Sequence, residues 1–198
     1  MDGIEIRKAE IGDAEQILNI YSYYVKNTAV TFEYEVPHIE EFRNRMKKTL
    51  LTYPYIAAKY EGRIVGYAYA GSFIGRKAYD WSAEATVYVE KDFCRCGIGQ
   101  KLYKALEKIL ADMGITNLYA CISVPEIDDE YLTRNSLEFH RHSGFRIAGK
   151  FHKCGYKFER WYNMVWAEKI IGVHSEKQSN IISFSQLISN KGYDLNYV

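Results

Sequence analysis

The chain has 198 residues, 47% of them hydrophobic and 15% aromatic, enough to fill the core of one domain with a short appendage and too many for global disorder. Twenty-six Lys and Arg against 25 Asp and Glu leave a net charge of +1. That argues against a general nucleic-acid binder, which needs excess cations facing phosphate, and leaves room only for a local basic site. No apolar run approaches the roughly 18 residues that span a bilayer, and the N-terminus alternates apolar and charged residues without a leader-like core. A cytoplasmic protein with no membrane partner is expected.

Residues 4–6 alternate apolar and charged side chains and predict a first strand. Gly12-Asp13 opens a helix with Asp13 as N-cap and Ile17, Leu18, Tyr21, Tyr24 and Val25 at helical spacing. An extended piece over 29–35 follows. A second helix after Pro37 carries Ile39, Phe42, Met46 and Leu50 on one face and charged residues on the other. Residues 55–60 and 64–70, joined by Glu61-Gly62-Arg63, predict an antiparallel hairpin. A loop over 71–80 leads to a strand at 81–89, a strong helix at 97–113 stopped by Gly114, and a strand at 118–124 ending at Pro125. A short helix at 135–143, closed by Gly144, precedes paired strands at 145–153 and 161–169. From Gly172 the chain turns polar around one apolar patch, so a body (1–171) and an appendage (172–198), packed on the body or on a partner subunit, are expected. Strands outnumber helices, which predicts an α+β domain: a mixed sheet with helices on its faces.

The four cysteines, Cys94, Cys96, Cys121 and Cys154, are too few to staple a chain this large. Cys94-Arg95-Cys96 with His140, His142, His152 and Cys154 could be assembled into a zinc site, yet the paired knuckles of structural zinc are missing. Free thiols and no metal are expected.

The most informative stretch joins the strand 83–89 through Cys94-Arg95-Cys96-Gly97-Ile98-Gly99-Gln100 to a helix. First-turn amides lack intrahelical acceptors and favour an anion, and glycine lets that anion come close. The spacing is neither a Walker loop nor a dinucleotide fingerprint, since Leu102 stands where the third glycine would be. Phosphate cradling and an ordinary glycine-started helix both remain open on the loop alone.

The loop resembles the [QR]-x-x-G-x-[GA] signature of the GNAT acyltransferase superfamily. The string Tyr79-Asp80-Trp81-Ser82-Ala83-Glu84-Ala85-Thr86-Val87-Tyr88-Val89 is similar to the phosphinothricin N-acetyltransferase branch. Thr31-Phe32, Tyr67-Ala68-Tyr69-Ala70-Gly71, Phe139-His140 with Gly144-Phe145, and Gly155-Tyr156-Lys157 with Trp161 share the likeness, which runs from about Ile4 to Lys169. The resemblance implies a GNAT-like fold with a mostly antiparallel central sheet, acetyl-CoA as co-substrate, a small amine acceptor and a homodimer. Implied cofactor contacts are Val87, Tyr88 and Val89, then Arg95, Cys96, Gly97, Ile98, Gly99, Gln100 and Lys101, and Asn135 on the later helix. Cys94 occupies the signature's first position and Ile74 the place of an expected lysine, while residues 127–131 form an insertion.

An alkylammonium must lose a proton before it attacks a thioester, and a carboxylate within reach can take it. Glu84 fits, sharing a strand face with Ser82, Thr86 and Tyr88; the plain alternative is a salt-bridged or half-exposed glutamate. The resemblance makes His140 the acid or relay, with Tyr103 the alternative donor. Phe32, Arg76 and Tyr79, together with Tyr103, are the expected acceptor contacts. The leading expectation is an N-acetyltransferase for phosphinothricin, methionine sulfoximine or methionine sulfone. A GNAT enzyme for a polyamine, an aminoglycoside or a protein N-terminus stands second, and a non-catalytic acyl-CoA-binding module third.

Overall fold

The computed structural model describes residues 3–189. Seven strands, β1 (Glu5–Lys8), β2 (Tyr55–Tyr60), β3 (Arg63–Ser72), β4 (Ser82–Val89), β5 (Asn117–Val124), β6 (Arg146–Lys157) and β7 (Arg160–Ile170), form one sheet. Their order is β1-β2-β3-β4-β5-β7-β6. Every neighbouring pair is antiparallel except β4 with β5. The predicted hairpin turns at Glu61 and Gly62, both left-handed (φ 46° and 85°), the twist that suits a two-residue connection.

Strand alternation sends Tyr55 and Ala57 to one face and Ile56 and Ala58 to the other. On the first face lie α1 (Ala14–Asn27) and α2 (Ile39–Thr52), which bury Ile17, Ile20, Tyr21, Val25, Phe42 and Met46. On the second lies α3 (Ile98–Asp112), whose Ile98, Leu102, Leu106, Ile109 and Leu110 fill the larger core. A Cβ at Gly66 would stand 3.2 Å from Leu102, so glycine there lets α3 settle close against β3. The short helix α4 is Asn135–His142.

Three local expectations differ from the structure. Asp13 ends a 3-10 turn (Ile11–Asp13) and makes no side-chain cap to α1. Its carboxylate instead accepts from Glu10 N at 2.7 Å and from both Arg7 terminal nitrogens at 2.7 and 2.8 Å. Residues 29–35 form bends, with no strand. β6 runs to Lys157, because the irregularity at 151–155 is a bulge, with Lys153 at φ 49°, and the strand resumes beyond it.

The polar segment after Gly172 returns to the body. Trp81 Nε1 donates to Ser179 O at 2.7 Å, Ile182 N donates to Met113 O at 3.0 Å, and Phe184 and Leu187 of α5 (Phe184–Ser189) are buried in the α3-side core. Residues 190–198 of the expected appendage, and Met1 and Asp2 of the expected body, lie outside the described residues. Among the described residues no helix is long and apolar enough to cross a membrane. Phe184→Ala should lower the unfolding free energy by about 3–5 kcal/mol. Urea denaturation should still show one transition, because this ring belongs to the shared core.

Candidate active site

β4 and β5 share three parallel pairs, Ser82↔Asn117, Ala83↔Leu118 and Glu84↔Tyr119, and then separate. β4 stays with β3 to Val89↔Gly66, while β5 follows β7 to Val124↔Asn163. Beyond Glu84 the facing edges of β4 and β5 are therefore open. Two clefts occupy the gap. One, of about 680 Å³, is walled by Val87, Tyr88, Val89, Gly97, Gly99, Asn135 and Phe139, with Tyr24, Arg95 and Tyr131 at its sides. The other, of about 480 Å³, contains Glu84, Thr86, Tyr88, Cys121, Ser123, His140 and Met164. Val30, Val87, Tyr88 and Ser136 belong to both, so the clefts meet at these residues, and Glu84 lies in the smaller one.

At the larger cleft, Arg95 and Gly97 take left-handed conformations (φ 63° and 81°) that turn the chain into α3. The first intrahelical bond runs from Lys101 N to Gly97 O at 3.1 Å, which leaves the amides of Ile98, Gly99 and Gln100 ahead of it without helical acceptors. The Arg95 guanidinium reaches Asn135 Oδ1 at 3.5 Å and ties the loop to α4. Cys94 Sγ lies 3.8 Å from the Tyr24 hydroxyl, which itself donates to Val89 O at 2.6 Å. Of the expected cofactor contacts, Val87, Tyr88, Val89, Arg95, Gly97, Gly99 and Asn135 line this cleft. Cys96, Ile98, Gln100 and Lys101 do not, and the Ile98 side chain is core, so any contact from it is through main chain.

Glu84 is half-buried and, among the described residues, has no ion-pair partner. Desolvation raises its pKa above the ordinary carboxylate value. His140 is buried. Its Nδ1 lies 2.7 Å from Ser136 O, and a carbonyl only accepts, so Nδ1 carries the proton; Nε2 then accepts from the Tyr103 hydroxyl at 3.0 Å. Burial pushes the His140 pKa down, against a smaller upward pull from the Ser136 carbonyl, and pushes that of Tyr103 up. The pair is neutral at neutral pH.

Tyr103 is buried behind His140 and lines neither cleft, which separates it from the expected acceptor contacts. Phe32 does line the Glu84 cleft, stacked on Tyr162. Arg76 and Tyr79 sit on the exposed β3–β4 loop and line neither cleft. Tyr79 meets Phe73 edge-on, and Phe73 stacks 3.9 Å from Tyr119. Sequence reasoning missed Thr31, Tyr69, Cys121, Ser123 and Met164 on the Glu84 cleft. Period two along β5 from Tyr119, the register partner of Glu84, points to Cys121 and Ser123; Thr31 has no periodic signal.

Residues 6–166 match the acetyltransferase (GNAT) domain family. The chain belongs to the GNAT acetyltransferase family. It is 31% identical over 161 residues to phosphinothricin N-acetyltransferase of Streptomyces viridochromogenes, covering 81% of this chain and 84% of that relative. It is 29% identical over 168 residues to L-methionine sulfoximine/L-methionine sulfone acetyltransferase of Pseudomonas aeruginosa, covering 82% and 92%. Among solved structures, the GNAT superfamily phosphinothricin acetyltransferase of Sinorhizobium meliloti in complex with AcCoA superposes with a TM-score of 0.82 at 27% identity, covering 90% of this chain and 95% of that one. The expected GNAT fold, with its mostly antiparallel sheet, is the fold observed.

A carboxylate whose pKa is raised by folding binds its proton more tightly in the folded state, so stability is lost as pH rises through the raised value. Glu84→Gln removes that loss. The variant should melt above the wild type at pH 7, by roughly 2–4 °C for each kcal/mol recovered. The two should converge near pH 4, where both side chains are mostly neutral; a thermal melt at each pH checks this.

Proposed function

We propose that this chain transfers the acetyl group of acetyl-CoA to the amino group of a small amino-acid-like acceptor of the phosphinothricin, methionine sulfoximine and methionine sulfone class. The observation that carries the reading is Glu84: a half-buried carboxylate without an ion-pair partner among the described residues, standing where β4 leaves β5, in a cleft that shares Val30, Val87, Tyr88 and Ser136 with the larger one. The larger cleft suits acetyl-CoA. The amides opening α3, with Arg95, receive the diphosphate, and the free edge of Val87, Tyr88 and Val89 receives the amide-bearing arm as an added strand would. Bound there, the co-substrate supplies an activated acetyl thioester beside Glu84.

Glu84 takes the proton of the incoming ammonium, directly or through one water. Its raised pKa brings it nearer to the amine it serves. Alternate main-chain N–H groups, those of Val87 and Val89, point away from β3 to the open edge, where they would meet the charge developing on the thioester oxygen. His140 can hold a proton, because on protonation Nε2 turns donor and the Tyr103 oxygen turns acceptor. Both ring nitrogens are engaged, Nδ1 with Ser136 O and Nε2 with the Tyr103 hydroxyl, so His140 serves the departing thiolate only if one of these bonds opens.

The Glu84 cleft has no lysine or arginine among its described lining residues. That favours a second reading, in which the acceptor is a plainer amine such as a polyamine, an aminoglycoside or a protein N-terminus. The chain is further read as a cytoplasmic homodimer: all four cysteines are free, as suits a reducing compartment. Ile147, Phe151, Tyr156 and Trp161 on the β6–β7 hairpin are each 45–57% exposed at the sheet edge, an apolar face for a second copy.

Acetyl-CoA at about 100 times its dissociation constant should stabilise the fold by about 2.7 kcal/mol, read as a thermal shift. A thiol-release screen over amino acids, their sulfur and phosphorus analogues and polyamines should find the acceptor. With that acceptor, Glu84→Gln should lower kcat about 10²–10⁴-fold while acetyl-CoA affinity stays within twofold. Unchanged turnover in this variant would remove Glu84 as the base.

A further inference from the structure

Lys157 is 2% exposed, yet it is no surface cation folded inward by chance. Its ammonium donates to Val25 O at 2.9 Å, Thr28 O at 2.9 Å and Thr31 O at 2.8 Å, which uses all three of its N–H bonds. Desolvation lowers its pKa to about 8, with Glu33 pulling the other way, so the side chain is charged at neutral pH. Two of the acceptors close the end of α1, where carbonyls lack helical donors and a cation is favoured. The third lies beyond the helix, one residue before Phe32.

The segment so gripped forms a wall of the site. Val30, Thr31 and Phe32 line the Glu84 cleft, and Thr28 and Val30 line the larger one. The same β6 residues press on it from outside. A Cβ at Gly155 would overlap the Phe32 ring, and the Tyr34 hydroxyl donates to Tyr156 O. Tyr162, across the hairpin from Gly155, stacks on Phe32. Residues 28–33 have no strand or helix of their own, so their path is set by these contacts from β6 and β7 together with Ala29 N to Tyr131 O, Ser123 Oγ to Val30 O and the Tyr21–Thr31 hydroxyl pair.

We infer that Lys157 is a positioning residue for the acceptor: its ammonium fixes the 28–32 segment, and through it the Thr31 and Phe32 wall opposite Glu84. This rests on the proposed function only in naming the cleft's occupant. Without the ammonium, three partly buried carbonyls are left unpaired and the wall loosens.

Lys157→Met, close in shape and uncharged, and Gly155→Ala, which drives a methyl group into Phe32, disturb the wall from two sides. Each should raise the KM for the acceptor tenfold or more. kcat should stay within threefold, acetyl-CoA affinity should fall by clearly less than the acceptor's because only Thr28 and Val30 of the segment line the larger cleft, and amide hydrogen exchange at residues 28–33 should quicken at least tenfold with α3 unchanged. Equal losses toward both substrates, or faster exchange with an unchanged acceptor KM, would overturn the inference. If Lys157→Met fails to fold, Gly155→Ala decides alone by the same readouts. If the wild type acetylates no acceptor, the functional reading fails by itself. The exchange at 28–33 then still judges Lys157, and an unchanged rate sinks the inference.

Discussion

Three parallel pairs hold β4 to β5, and past Glu84 the strands part while each keeps its antiparallel neighbour on the other side. β5 runs eight pairs along β7, against three along β4. A sheet edge opened inside a domain leaves main-chain donors and acceptors unpaired unless water or a ligand meets them. Under the proposed function the gap receives a partner that carries amide groups in an extended arm. α3 adds a second element to the same gap. Only eight residues separate Val89 from Ile98, and Gly66 lets the helix sit close, so its open amides arrive beside the free strand edge.

Burial then sets the chemistry. Desolvation moves Glu84 and His140 in opposite directions on the pH scale and toward the same neutral state. Behind Glu84 stands a tyrosine stack: Tyr55, Tyr67 and Tyr69 lie nearly parallel, and Tyr88 meets Tyr21 edge-on at 5.3 Å. Tyr67 and Tyr88 are buried enough that their pKa values rise well above the ordinary phenol, so the stack adds no charge of its own. Several of the chain's 18 tyrosines thus give Glu84 a poorly solvating wall with hydroxyls at its rim. Desolvation in this cleft, with no cation to offset it, holds the Glu84 pKa above the ordinary carboxylate value.

The parts of this arrangement that follow from periodicity were legible in the sequence. The β2–β3 hairpin, the α3 stripe and the sharing of one face by Glu84, Thr86 and Tyr88 all depend on residues two to four apart. The strand–turn–helix around Gly97 was legible too, because two left-handed positions and a glycine leave a local mark. What could not be read depends on long-range contact. Lys157 binds carbonyls 126 to 132 residues away, and nothing near it marks it as buried. Residues 29–35 looked extended because no local ladder or helix period governs them. The strand expected over 145–153 falls short of the end of β6, because the pairing passes a bulge and resumes at Gly155↔Tyr162.

The charge pattern of the Glu84 cleft bears on the acceptor itself. An amino-acid acceptor brings a carboxylate as well as an amine, and Glu84 repels that carboxylate inside a poorly solvated cavity. With no cationic side chain among the described lining residues, the acidic end has two places to go. It can lie against a neutral donor such as the Thr31 hydroxyl, or it can point out toward the exposed β3–β4 loop that carries Arg76 and Lys77. With Glu84 as the proposed base, the amine is constrained more tightly, since it has to stand between that carboxylate and the thioester. An acceptor that keeps its amine and its acid apart along an extended body satisfies both demands better than a compact one. The apolar Phe32, Val30 and Met164 walls then favour a methylene chain between the two ends.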